Sequence, residues 1–452
     1  MSGKPSRLSP CPCGSGKRYK DCHGAIPGDE SGPAGFSRVV EKALVEQQAG
    51  RLEQAAALYR DALAFQPDNF DALHMLGVVH LQLKNARDAL RLICRALDVE
   101  GWRQESALHN LGLALGQCSD PSTPTIGLGQ LGAEYRRLHP ETIDDSALLT
   151  RRDSRPEPLV SIIVPSFNHS MFIDAAIRSV FAQTYANWEL LVIDDGSSDD
   201  SVKQLRQLIA DGDPRCRLIV RENRGAAATL NQLISLSRGE WIHPLNSDDV
   251  LPPDRLQRCV EAVLTRRTEW LFGDVRCIDE AGHRLDEMQD ARAFSFRTMQ
   301  SAVAFEETVG LAFCAQNPAI STGNLFFSAE LARRIGGFRE LRYHHDWDFC
   351  LRALDEAEPI HLPDALYFYR FHGHNTIAEQ STQKQTEVDG MLAQYISTAL
   401  SPNHRPRNRW APAYVNWGDR LATLLLVRNL GKLLPATRLR EMAIARLESS
   451  DR

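Results

Sequence analysis

Leu159-Val-Ser-Ile-Ile-Val164, Glu189-Leu-Leu-Val-Ile193, Arg217-Leu-Ile-Val220 and Trp241-Ile-His243 decide the architecture. Each is a short apolar run bounded by polar turn residues, the composition of a strand buried within a sheet. Between them the spacing predicts helices over about 172–183, from 200 onward and over 226–237. Regular alternation of strand and helix makes a doubly wound, mostly parallel α/β sheet. Ligands of such sheets bind beyond the C-terminal ends of the strands.

The residues at those ends are polar. They read Pro165-Ser166-Phe-Asn168, Asp194-Asp195-Gly-Ser-Ser-Asp199, Arg221-Glu-Asn223-Arg-Gly225 and Asn246-Ser-Asp248-Asp249. One Asp, Ser or Asn at such a place is an ordinary cap or turn former. Four successive ends of this kind in one sheet point to a polar site. An Asn-x-Asp after an apolar strand also offers hard oxygen donors suited to Mg²⁺ or Mn²⁺.

In that order these motifs resemble glycosyltransferase family 2, with a Rossmann-like GT-A fold. The likeness continues through Ser321-Thr-Gly323-Asn324, Gly336-Gly337-Phe338, His345-Asp346-Trp347-Asp348 and Tyr369-Arg370-Phe-His372, and covers roughly 160–377. It implies a nucleotide-sugar donor, most simply a UDP-sugar. That donor would be held by Pro165, Ser166, Asn168, Asp194, Asp195, Asn223, Asn231, Asn246 and Asp248, with Asp194 at the base. Asp248 maps to the metal-binding carboxylate and His372 to a second contact with the metal or diphosphate. Gly323, Asn324, Asp249, Trp347 and Arg370 map to the donor-sugar and acceptor side. Asp346 maps to the general base, which deprotonates the acceptor in a single displacement that inverts the anomeric carbon. No second carboxylate nucleophile is needed, unlike in a retaining glycosidase. Three positions depart from the family pattern: Asn246 replaces a frequent Asp, Leu230 a frequent Arg and His345 a usual Glu. Those departures leave open a second reading, a catalytically decayed scaffold acting through the modules that precede the sheet.

Those modules are legible too. Cys11-Pro-Cys13 is followed by Cys22-His23, four donors able to close a tetrahedral zinc site. The segment resembles the SEC-C motif, a docking module, and sets residues 1–30 apart. Over 36–118, Ala55 recurs as Ala89 and Ala62 as Ala96, both at a spacing of 34 residues. That period, with small residues where helices cross, resembles tetratricopeptide repeats. Two to two and a half repeats would bind a protein partner or serve as a helical spacer. Residues 119–158 are rich in breakers and read as a linker, with one short helix near 130–139. The α/β domain then occupies 159–377, and a helical region 378–452.

Composition sets outer limits. The chain has 452 residues, 43% apolar and 24% charged, with a formal charge of −6. That is an ordinary globular composition, and a nucleic-acid partner is not expected of an acidic chain. The first twenty residues lack an apolar signal segment, so a cytoplasmic location is expected. From Asn403 onward there are ten Arg/Lys against four Asp/Glu. Peripheral contact with the inner face of a membrane through this basic tail is one expectation, and packing on the chain's own domains is the other. The acceptor is a glycan, a lipid-linked saccharide or a polypeptide; the docking modules favour a polypeptide, because a second site raises effective concentration.

Overall fold

The computed structural model describes residues 33–118, 157–209, 213–266, 268–285, 289–373, 375, 379 and 381–449. The zinc-ligand quartet Cys11, Cys13, Cys22 and His23, and the expected helix near 130–139, lie outside the described residues. The chain divides into two compact units, 1–121 with 422–452, and 122–421.

The first unit is helical: α1 Pro33–Gln48, α2 Leu52–Phe65, α3 Phe70–Gln82, α4 Ala86–Glu100 and α5 Glu105–Gln117. Ala55, Ala62, Ala89 and Ala96, the residues that carry the repeat period, are all fully buried. Gly77 shows why small residues recur, since a Cβ there would meet Ile93 Cγ1 at 2.7 Å. Asn69 caps α3 by accepting from Ala72 N at 3.0 Å. Residues 422–449 complete this unit. Leu426 packs on Gly112, and Gly431 on Leu108. The helix Ala436–Ser449 lies on α4 with Leu439, Met442 and Ala443 buried. Those three side chains are thus covered by protein, while Ile444 on the same helix is exposed, and Arg440 and Lys432 stand at 3.5 and 3.6 Å from Asp98 and Glu105. Among the described residues no helix is long and apolar enough to cross a membrane.

The second unit is built on seven strands: β1 Val160–Ser166, β2 Trp188–Asp194, β3 Cys216–Val220, β4 Trp241–Pro244, β5 Trp270–Ile278, β6 Leu325–Ser328 and β7 Ile360–Arg370. Their order is β3-β2-β1-β4-β6-β5-β7. β1, β2, β3 and β4 run parallel, as the sequence pattern predicts. β6 alone is antiparallel to both its neighbours, and β5 and β7 are parallel. This is the mixed, mostly parallel sheet of the GT-A fold. Helices Ile173–Phe181, Ser201–Ile209 and Ala226–Leu236 fill the three connections among β1–β4. The stretch 280–318, which lacks clean periodicity, holds the helices Ala291–Phe305 and Val309–Ala315. Asp290 and Thr308 cap them, accepting from backbone N–H groups of the first turn.

Candidate active site

The site forms where the loops after β1, β2 and β4 meet the end of β7. Asn168 turns the β1 loop with φ +53°. Its N–H donates to Ser197 Oγ at 2.8 Å, and its Oδ1 accepts from Ser198 N at 2.8 Å. Asp194, fully buried, accepts from Ser197 N at 2.9 Å, Ser197 Oγ at 2.7 Å and Ser166 Oγ at 3.1 Å. Asp195 accepts from Arg224 N and Gly225 N at 3.0 and 2.8 Å and pairs with Arg221 at 2.7 Å. Asn223 Oδ1 accepts from the same Gly225 N at 3.1 Å. The chain is tight there, because a Cβ at Gly196 would lie 2.9 Å from Asn223 N. Three strand ends are thereby locked together, and Pro165 sits beside them within β1.

The loop after β4 carries the densest chemistry. Asp248 Oδ2 is 2.9 Å from His372 Nε2, and its Oδ1 is 4.0 Å from His169 Nδ1. One donor atom from each of Asp248, His372 and His169 lies within 4.8 Å of the other two. His169 is the residue that sequence reasoning passes over; its only signal was adjacency to Asn168. Phe172 packs on both imidazoles, with ring centroids 4.6 Å from His372 and 6.3 Å from His169. Asn375, also unforeseen, accepts from His372 N at 2.6 Å and donates to Arg370 O at 3.1 Å. Burial works to raise the Asp248 carboxyl, but the His372 hydrogen bond and the two imidazoles outweigh it and hold the group below its ordinary value. Two imidazoles and a carboxylate fit a divalent transition ion in both ligand type and number.

Asp249 has a different task. It is fully buried and accepts from Tyr367 Oη at 2.6 Å, Asn246 Nδ2 at 3.0 Å and Arg370 N at 2.8 Å. Burial, then the charge of Asp248, pushes its carboxyl well above the usual range. Asn246 also donates to Ser321 Oγ at 2.9 Å. Arg370 donates through Nε to Asp248 O at 2.8 Å and through Nη1 to the carbonyls of Asp279 and Glu280. It thereby braces the loop that presents Asp248.

Asp346 lies in the first turn of the helix His345–Glu356. Its Oδ1 accepts from Trp347 N at 2.7 Å and its Oδ2 from Asn317 Nδ2 at 3.1 Å. Burial raises its carboxyl against the pull of His345, the direction a general base requires. Asp348 is paired with Arg352 at 2.6 Å and Arg339 at 3.2 Å, so its charge is neutralised. The Tyr369 phenol is raised well above its ordinary value by burial and then by the charges of Asp249, Asp248 and Asp346.

Several of the expected contact residues also bond the scaffold. Asn231 donates to Phe338 O at 2.7 Å and accepts from Phe338 N at 2.8 Å, clasping the Gly336-Gly337 turn. Asn324, fully buried, bonds Gly273 N at 3.0 Å and Gly273 O at 2.7 Å, binding the β6 entry to β5. Gly323 lies under the Tyr367 phenol, with no room for a Cβ. Trp347 donates through Nε1 to Phe313 O at 2.9 Å and is buried. His345, in place of the family's Glu, has Nε2 at 3.1 Å from Thr322 Oγ1. Sequence motifs do not separate a ligand contact from the clasp that holds a loop in place.

Residues 161–319 match the family model "Glycosyl transferase family 2". The chain carries a glycosyltransferase family 2 domain. Residues 9–25 match the SEC-C motif and 44–84 a tetratricopeptide repeat. The glycosyltransferase domain is 33% identical to a hyaluronan synthase of Pasteurella multocida over 54% of this chain and 22% of that protein. It is 38% identical to an Escherichia coli UDP-Glc:alpha-D-GlcNAc-diphosphoundecaprenol beta-1,3-glucosyltransferase over 27% of this chain and 47% of that one. An uncharacterized glycosyltransferase of Nostoc sp. is 26% identical over 53% of this chain and 75% of its own length. The chain therefore spans less than half of the two relatives whose reactions are named.

Proposed function

We propose that this protein transfers a glycosyl group from a UDP-sugar to a glycan, lipid-linked or polypeptide acceptor, with inversion at the anomeric carbon. The observation that carries the reading is the Asp248 carboxylate set between His372 and His169 in a domain of this family. A divalent ion held by Asp248 and His372, Mg²⁺ or Mn²⁺, would neutralise the charge that develops on the departing diphosphate. Asp194 faces the base in this reading; its Oδ1 accepts one hydrogen bond from Ser197 and keeps a lone pair for an imide N–H. The uridine donor named for the Escherichia coli relative supports the choice of nucleotide. Asp346 takes the acceptor's proton, and its burial keeps it a stronger base than an exposed carboxylate. The SEC-C motif, holding Zn²⁺ through Cys11, Cys13, Cys22 and His23, and the helical repeats dock a protein partner or the acceptor itself.

The test is UDP release from a panel of UDP-sugars with Mn²⁺, comparing the full chain with Asp346→Asn. Turnover in the wild type that collapses in the variant supports the reading. Equal background release from both, whatever the donor, overturns it in favour of a non-catalytic scaffold.

A further inference from the structure

We propose that His169 is a third protein ligand of the cation, and that its imidazole makes the site select Mn²⁺ over Mg²⁺. This rests on Asp248 being the metal-binding carboxylate. The two oxygens of Asp248 face different histidines: Oδ2 meets His372 Nε2 at 2.9 Å, and Oδ1 has His169 Nδ1 at 4.0 Å. With metal–ligand bonds of about 2.1 Å, adjacent octahedral donors stand about 3.0 Å apart and opposite ones about 4.2 Å. Donor atoms within 4.8 Å of one another need only a small inward movement to share one ion.

His169 is held for this task. The turn at Asn168 directs the following residue across to the β4 loop. His169 N donates to Ser201 Oγ at 3.1 Å, and its carbonyl accepts from Phe172 N and Ile173 N at 2.9 Å each. The backbone on both sides of the ring is thus fixed to the scaffold. Its Nδ1 stands 2.8 Å from Ser247 Oγ, whose hydroxyl can rotate away when a cation takes that nitrogen. The His372 ring lies edge-on to it at 5.6 Å between centroids, so the two imidazoles flank the carboxylate rather than stack.

Donor chemistry then sets the preference. Mg²⁺ favours oxygen ligands and retained water; imidazole suits zinc, copper, iron and nickel best, and Mn²⁺, the weakest of the first-row series, still gains more from an added nitrogen than Mg²⁺ does. A site with two nitrogens and one carboxylate accepts Mn²⁺ more readily than a site with one of each. Nothing in the Asp248 and His372 motifs alone announces this, because the third ligand comes from a different strand end.

The experiment uses the full chain carrying one equivalent of Zn²⁺ for its SEC-C motif and no free Zn²⁺, which would otherwise compete for a site of two histidines and a carboxylate. Mn²⁺ and Mg²⁺ are titrated calorimetrically, and electron spin-echo modulation counts the ¹⁴N nuclei bound to Mn²⁺. The wild type should show two nitrogens, and His169→Gln and His372→Gln one each. His169→Gln should weaken Mn²⁺ by about tenfold or more while changing Mg²⁺ by less than about threefold. A single nitrogen in the wild type, or unchanged Mn²⁺ affinity in His169→Gln, overturns the proposal. The nitrogen count stands on the wild type alone, so a variant that fails to fold does not remove the test. Asp248→Ala separates the two levels: if it leaves Mn²⁺ binding intact, the assignment of the carboxylate itself has failed.

Discussion

Tyr367→Phe isolates one hydrogen bond in the centre of the site. Asp249 is fully buried, and its carboxylate depends on three donors: Tyr367 Oη at 2.6 Å, Arg370 N at 2.8 Å and Asn246 Nδ2 at 3.0 Å. The phenol is the shortest of the three. Phenylalanine keeps the ring, so no cavity term of note accompanies the change. What is lost is a hydrogen bond to a buried carboxyl in a dry setting, which leaves that group short of a donor at a cost of about 1–3 kcal/mol. Water is poorly placed to replace it, since the hydroxyl fills the space above Gly323 where even a Cβ would not fit. The variant should therefore lose about 2 kcal/mol in guanidinium unfolding of the sheet domain, read as a lower midpoint at unchanged slope. Gly323→Ala, which drives a methyl into the same ring, should cost more. A Tyr367→Phe midpoint within about 0.5 kcal/mol of the wild type would show that the phenol does not support Asp249, and the account of that carboxylate as the anchor of the Asp248 loop would fail.

Other perturbations separate chemistry from scaffolding. Asp346→Asn should lower turnover by about 10²–10⁴-fold with donor affinity retained; in the wild type, kcat/KM should rise with pH through an acid limb above the usual carboxylate range, because burial raises the Asp346 carboxyl and only its ionised form accepts a proton. Asn231→Ala removes both hydrogen bonds to the Phe338 backbone and should cost about 1–3 kcal/mol in denaturation while leaving UDP affinity within about threefold. Gly112→Val places side-chain atoms where Leu426 Cβ would stand 2.7 Å from a Cβ; it should destabilise the repeat unit by about 1–3 kcal/mol, seen as a separate early calorimetric transition, with turnover unchanged below it.

How much of this was legible in the sequence depends on whether a signal is local. β1 to β4 are short β-branched runs whose ends carry Asn168, Asp194, Asn223 and Asp248, and the sheet aligns them as the alternation requires. β6 offers only Leu325–Ser328, too short for periodicity to separate from a loop, and its antiparallel direction is set by partners on β4 and β5. The repeat period announced α1 to α5, but not that residues beyond 421 return to cover α4 and α5, because Gly112 and Leu426 are remote in sequence. The same limit applies within the site. Asp248 and His372 stand in recognisable motifs. His169 and Asn375 acquire meaning only once the loops around them are folded. Asn231 and Asn324 stand in motifs that resemble ligand contacts, and the fold adds that their amides bond main-chain groups of remote segments.

Asn246 looks like a weakness when compared with the family's aspartate, yet the geometry gives it a positive role. Its Nδ2 donates to Asp249 and to Ser321, and a carboxylate can donate to neither. In Asn246→Asp a second anion would face Asp249 Oδ2 at about the distance now spanned by the hydrogen bond. Two unit charges about 3 Å apart at an effective dielectric constant of about 20 repel by about 5 kcal/mol. The pair would avoid that by retaining one proton, so its folded-state pKa would stand above the unfolded value. The native state then binds more protons than the unfolded one, and stability falls as pH rises. The variant should approach the wild type in melting temperature near pH 5 and lie below it at pH 8, with the gap widening steadily between. Equal melting at pH 8 would mean that Asp249 is already protonated in the wild type. Asn246 would then revert to a simple loss of charge beside the cation, and the scaffold reading would regain its strongest support.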